Sequence, residues 1–85
     1  MNFPTLKENE FTVLMANGET GIVLDINFNV YQNNNENQHV YSIFDNIQEA
    51  REFINGISGE YDKIEFIIYN SKQEVVEFIK AKFSS

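Results

Sequence analysis

Residues 21–31, GIVLDINFNVY, constrain the fold more than any other stretch. Ile22, Leu24, Ile26, Phe28 and Val30 alternate with Val23, Asp25, Asn27, Asn29 and Tyr31. A period of two places one set of side chains on a buried face and the other in water, whereas a helix would scatter both sets around its axis. The alternation predicts a long half-buried strand over 22–31, with Asp25, Asn27 and Asn29 as its wet row. A strand needs partners, and the flanking sequence supplies them. Upstream, FTVLMA (11–16) is strand-like. The Asn17-Gly18 pair between the two runs is a strong hairpin signal, because both central positions of a type I′ turn need φ > 0. Downstream, HVYSIF (39–44) reads as a third strand, with Val40, Ser42 and Phe44 on one face and Tyr41 and Ile43 on the other. The intervening QNNNENQ (32–38) reads as their connection, since Asn tolerates left-handed backbone and hydrogen-bonds locally. The three strands together suggest a meander.

A helix follows. Asp45 or Asn46 can cap it, and Gln48 or Glu49 stands three residues on to complete a capping box. Ile47, Ala50, Ile54 and Ile57 form one stripe with Phe53 at its edge, and Gly56 and Gly59 supply a stop. DKIEFIIYN (62–70) is β-branched and aromatic, and the adjacent Ile67 and Ile68 suggest a strand buried on both faces. Residues 71–83 admit two readings. Ser71 and Glu74 make a capping box for a helix that gathers Val75, Val76, Ile79 and Phe83. Alternatively, YNSKQEVV is a turn that extends a hairpin from Ile64–Tyr69.

Phe44, Asp45, Glu49, Ala50, Ile54, Ile68, Tyr69 and Asn70 make up a pattern that resembles one in small bacterial α+β proteins, mostly uncharacterised, some of them similar to immunity proteins of toxin systems. There a strand ends in Phe-Asp, a helix opens with Glu-Ala, and a later strand ends in Ile-Tyr-Asn before turning back as a hairpin. Gln73 departs from the Gly usual at that turn. The resemblance covers residues 40–80, carries no catalytic residues, and implies a strand rather than a helix at the C-terminus. The expected fold is α+β: a polar tail over 1–10, then one domain over 11–83 with a mainly antiparallel sheet of four to five strands (β-β-β-α-β-β) and one helix packed on a face. The alternative is β-β-β-α-β-α. Without a second helix, the other sheet face is left to Tyr31, Tyr41 and Tyr69, and an uncovered aromatic face is an interaction surface.

Composition narrows the function. Eighty-five residues make one domain, and eight Phe with four Tyr can pack a core. The absence of Cys removes disulfides and thiolate chemistry. MNFPTLKENE shows no signal-peptide pattern, and no apolar run is long enough to span a bilayer, so a cytoplasmic protein is expected. The net charge is −7, and residues 1–45 hold six acids against Lys7 alone. An acidic surface repels phosphate backbones and anionic lipid and attracts a basic protein. His39, the only histidine, has no nucleophile on its own strand face and reads as a local hydrogen-bonding residue. NNNENQ lacks the Asp ligands and central Gly of a hard-cation loop. The Gly-x-x-Gly pairs at 18–21 and 56–59 read as turn chemistry. No catalytic residue, metal or cofactor is expected. The expected role is a non-catalytic interaction module, an immunity-type inhibitor of a basic protein in its concrete form, with Asp25, Tyr31, Glu36 and Tyr41 as contacts. The alternatives are a ligand-binding domain or enzyme with a pocket between sheet and helix, and a homodimer without activity of its own.

Overall fold

The structure is a computed structural model, described over residues 2–32 and 38–83. Glu36 and its asparagine neighbours 33–35 and 37 lie outside the described residues. Along the described chain run β1 (Phe11–Asn17), β2 (Val23–Leu24), β3 (Tyr41–Phe44), α1 (Ile47–Ser58), β4 (Ile64–Tyr69) and β5 (Val75–Ile79). The fold is α+β, a five-stranded antiparallel sheet with a single helix, and the C-terminal element is a strand.

β1 is the hub. β4 pairs along one of its edges from Thr12 to Asn17, and β5 pairs with β4 beyond. The other edge of β1 is shared end to end: β3 pairs with Phe11–Leu14 and β2 with Met15–Ala16. The expected meander is therefore corrected, because β3 lies beside β1 and not beside β2. Since β3 and β4 are each antiparallel to β1, they run parallel to one another with β1 between them, and α1 makes the crossover. The apolar run Val13–Ala16 suits this central place, being buried on both faces.

The register sorts the side chains. Val13 and Met15 of β1, Ile64, Phe66 and Ile68 of β4, and Leu24 of β2 gather with Ala50 and Ile54 of α1 into the core. Phe11, Phe44, Ile47, Phe53, Ile57 and Ile79 pack around it, and the rings of Phe44 and Phe53 lie 5.0 Å apart. The helix stripe read from the sequence is thus the face that meets the sheet. Asn46 caps α1: its side-chain oxygen accepts the Glu49 N–H at 2.8 Å, satisfying a first-turn donor. Arg51, on the outer side of the helix, reaches Glu77 of β5 at 3.1 Å.

The predicted strand over 22–31 is not formed. Only Val23–Leu24 is strand, with an isolated bridge from Leu24 to Val30, and between them the chain doubles back. Asp25 Oδ1 accepts the backbone N–H groups of Asn27 (2.8 Å) and Asn29 (3.0 Å), and the Asp25 N–H donates to the Asn29 carbonyl at 2.7 Å. An Asp carboxylate offers the backbone an alternative to a sheet ladder, and here that alternative wins. Phe28 takes a left-handed φ of 67° at the turn and stacks on Tyr61, centroids 4.8 Å apart. The alternating apolar residues do not line one buried face: Leu24 is buried, while Ile22, Ile26, Phe28 and Val30 are exposed.

The first hairpin differs from the two-residue turn as well. The Asn17 N–H donates to the Ile22 carbonyl, leaving a four-residue loop in which Gly21 supplies the positive φ of 75°. Asn17 Oδ1 holds the loop by accepting from Glu19 and Thr20. Gly18 serves a close approach instead: a Cβ there would stand 2.9 Å from the Lys63 carbonyl and 2.5 Å from Cβ of Ala81. In the β4–β5 turn, Gln73 adopts φ 62°, the conformation that Gly would take more cheaply.

Candidate functional site

On the sheet face away from α1, the register builds cross-strand rows. Tyr41, Leu14, Ile67 and Phe78 form one, crossing β3, β1, β4 and β5. Ile43, Thr12 and Tyr69 form the next. Alternation on each strand explains the placement, because these residues are the parity partners of those in the core. No helix covers them. Ile43, Val76 and Phe78 stay 47, 44 and 46 % exposed, while Tyr41, Ile67 and Tyr69 are half-buried.

The cover that exists comes from the N-terminal segment. The Phe3 ring packs edge-on against Tyr41 at 5.4 Å and Tyr69 at 5.6 Å. Those tyrosines flank β1, so the ring sits above the Thr12 and Leu14 end of the face, and both residues are buried there. Thr12 donates its hydroxyl to the Ser42 carbonyl at 2.8 Å, which satisfies the one polar group in this patch. Further along, the Ser71 hydroxyl donates to the Glu8 carbonyl and ties the segment to the β4–β5 turn. Burial, with Tyr69 and then Tyr31 beside it, pushes the Tyr41 phenol above its ordinary value.

Tyr31 and Tyr41, two of the contacts expected from the sequence, are therefore brought together near Tyr69. Asp25 is not placed with them. It is buried rather than on a wet strand face, and its carboxylate is turned into its own loop, Oδ1 to Asn27 and Asn29 and Oδ2 to the Gln38 amide at 2.8 Å. The Gln38 donor first, then the Asn29 and Asn27 N–H groups, hold its pKa below the ordinary carboxylate value against the opposing effect of burial. Glu36 lies outside the described residues. Sequence reasoning missed Phe3, Val76 and Phe78. Phe3 carried a signal, a lone ring beside Pro4 in an otherwise polar tail. Ile43 was already placed on the Tyr41 face but not among the contacts.

The remaining chemistry is sparse. His39 is exposed, and its main-chain carbonyl accepts the Ile26 N–H at 2.8 Å. A groove of about 230 Å³ runs between the N-terminal segment and β3 past His39, Tyr41 and Ile43. A second of about 220 Å³ lies between α1 and β5, where Arg51 is already engaged by Glu77. Both fall short of the volume that encloses a drug-sized ligand. Among the described residues, no three His, Cys, Asp or Glu converge as metal ligands, and no helix is long and apolar enough to cross a membrane. Comparison with family models, curated proteins and solved structures gives no match, so the architecture and this face carry the functional argument by themselves.

Proposed function

We propose that the chain is a non-catalytic interaction module that binds a basic protein through the helix-free sheet face, as an immunity-type inhibitor would. One observation carries this reading: Ile43, Val76 and Phe78, each more than two-fifths exposed, stand on one face beside Tyr41 and Tyr69. Apolar and aromatic side chains concentrated on an exposed face, rimmed by polar residues, mark an interaction site. The net charge of −7 supports a basic partner, since it accelerates encounter with a cationic surface at low salt.

The test is retention of a partner from the native host on the immobilised protein, with Ile43→Glu as the paired control. Ile43 sits at the rim and is 47 % exposed, so the fold should survive, which far-ultraviolet circular dichroism checks. The expected result is a single basic protein held by the unaltered chain, lost on Ile43→Glu, and bound more slowly as salt rises. A partner retained equally by both proteins, or none retained at all, would overturn the reading.

A further inference from the structure

β5 is a terminal strand: it pairs with β4 on one side and is open on the other. The opposite sheet edge is short and broken, four residues of β3 followed by two of β2. The β5 edge is longer, because the chain beyond Ile79 stays alongside β4, with the Lys82 and Phe83 N–H groups both donating to the Asp62 carbonyl. It is also apolar: Val75 is 59 % exposed, Val76 44 % and Phe78 46 %. An open edge with unpaired backbone groups is a template for another strand. Its charges indicate which strand. The edge begins acidic at Glu74 and Glu77 and ends basic at Lys80 and Lys82. Residues 72–82 hold three lysines and two glutamates, a locally positive strip in a chain of net charge −7. Parallel self-pairing would stack like charges. Antiparallel self-pairing sets the acidic start of one strand against the basic end of the other.

We propose that β5 pairs antiparallel with β5 of a second copy about a two-fold axis at Phe78. This goes beyond binding at the helix-free face and does not rest on it. The register follows from parity. A two-fold axis perpendicular to the sheet returns each residue to the same face, so it must pass through a residue and not between two. At Glu77 it would oppose two carboxylates, each already used by its own Arg51. At Phe78 it sets ring beside ring, the Val76 methyls along the Lys80 stem, and Glu74 towards Lys82 of the other copy. The bulge between Ile68 and Tyr69 and the two lysines are devices that blunt an edge against other strands. In this register the lysines meet glutamate and valine instead. The contact closes on itself and leaves only the broken β3/β2 edge outside, so a dimer forms and not a fibre. A strand edge buries less than the roughly 800 Å² per partner of a standard interface, so the dimer is weak, with a dissociation constant on the order of 10–100 μM.

The experiment is sedimentation equilibrium of the pure protein from about 5 to 500 μM, spanning that constant. The unaltered chain should pass reversibly from monomer to dimer. Glu74→Lys and Lys82→Glu should each weaken association by about tenfold, since like charges then oppose one another twice in the dimer. The double variant Glu74→Lys/Lys82→Glu has the net charge of the parent and should restore the dimer with its charges exchanged. Val76→Lys, at an exposed site free of the Asn70–Glu74 hydrogen bond, should abolish it by facing Lys80. A monomer throughout the range, single reversals without effect, or a double variant no better than either single would each overturn the proposal.

Discussion

The two faces of this sheet are made by the same strands and held in different ways. Towards α1, Val13, Met15, Phe66 and Ile68 have at most 1 % of their surface exposed, against the Ala50 and Ile54 stripe. On the other side, Thr12 and Leu14 are buried largely under one ring, Phe3, and the row ends exposed at Ile43 and Phe78. A helix brings a side chain to the sheet at every turn, whereas an irregular strap brings one where its sequence happens to place it. The first solution makes a core, and the second leaves a surface that remains available for contact.

The sharpest way to break this contrast is to truncate one phenylalanine on each face. Phe66→Ala should cost about 3–5 kcal/mol, through lost transfer energy and the cavity left behind. Phe78→Ala, at a site 46 % exposed, should cost less than about 1 kcal/mol. Urea unfolding of both variants checks this, and similar losses would show that the helix-free face is as much core as the other. Phe3→Ala tests the strap itself. Two edge-to-face contacts of about 0.5–1.5 kcal/mol each predict a loss of about 1–2 kcal/mol. The same substitution should bring the raised Tyr41 phenol back towards its ordinary value, because burial is the main cause of the shift. Absorbance titration of tyrosinate reads it, and an unmoved Tyr41 would mean that the ring does not provide the cover. On the helix side, Asn46→Ala removes the acceptor for the Glu49 N–H and should cost about 1 kcal/mol in the same unfolding assay. A neutral result would mean that solvent replaces the cap at no cost.

What was legible in the sequence follows from the same contrast. The Ile47–Ser58 helix and the Ile64–Tyr69 strand were legible because many buried residues agree on their period. The C-terminal strand was open on local rules: Val75 and Val76 break alternation, and the structure shows why, since the register slips between Ile68 and Tyr69. Of the candidate contacts, Tyr31 and Tyr41 could be paired through strand parity, but the ring that roofs Tyr41 comes from a tail with no periodicity at all. The place of β3 beside β1 left no local trace, because long-range pairing is decided by which edges the finished sheet leaves free. Residues 22–31 were misread for a different reason. A polar residue at every second position is the pattern of a wet strand face, and Asp25-x-Asn27-x-Asn29 is also a run that closes on its own backbone. Periodicity does not separate the two. What separates them is whether the apolar partners find a surface to cover, and Ile22, Ile26, Phe28 and Val30 find little.

That ambiguity makes Asp25 the subtlest test, since its effect lies in the pH dependence of stability more than in its size. Gln38 first, then the Asn29 and Asn27 N–H groups, stabilise the ionised carboxylate and lower its pKa in the folded protein. A folded pKa below the unfolded value of about 3.9 means the native state holds fewer protons than the unfolded chain through that range. The stabilisation is therefore complete above the unfolded pKa and is lost as pH falls through the folded one. Asp25→Asn keeps an acceptor oxygen but removes the charge. Its unfolding midpoint should lie below that of the parent near neutral pH, and the gap should narrow as the pH drops below about 4. The loop reports the same event locally, with Asn27 and Asn29 amide exchange quickening on acidification in the parent and staying flat in Asp25→Asn. Parallel stability curves down to pH 2 would mean that the carboxylate is not what turns the chain at Asp25, and that the exposure of its apolar neighbours alone decides against a strand.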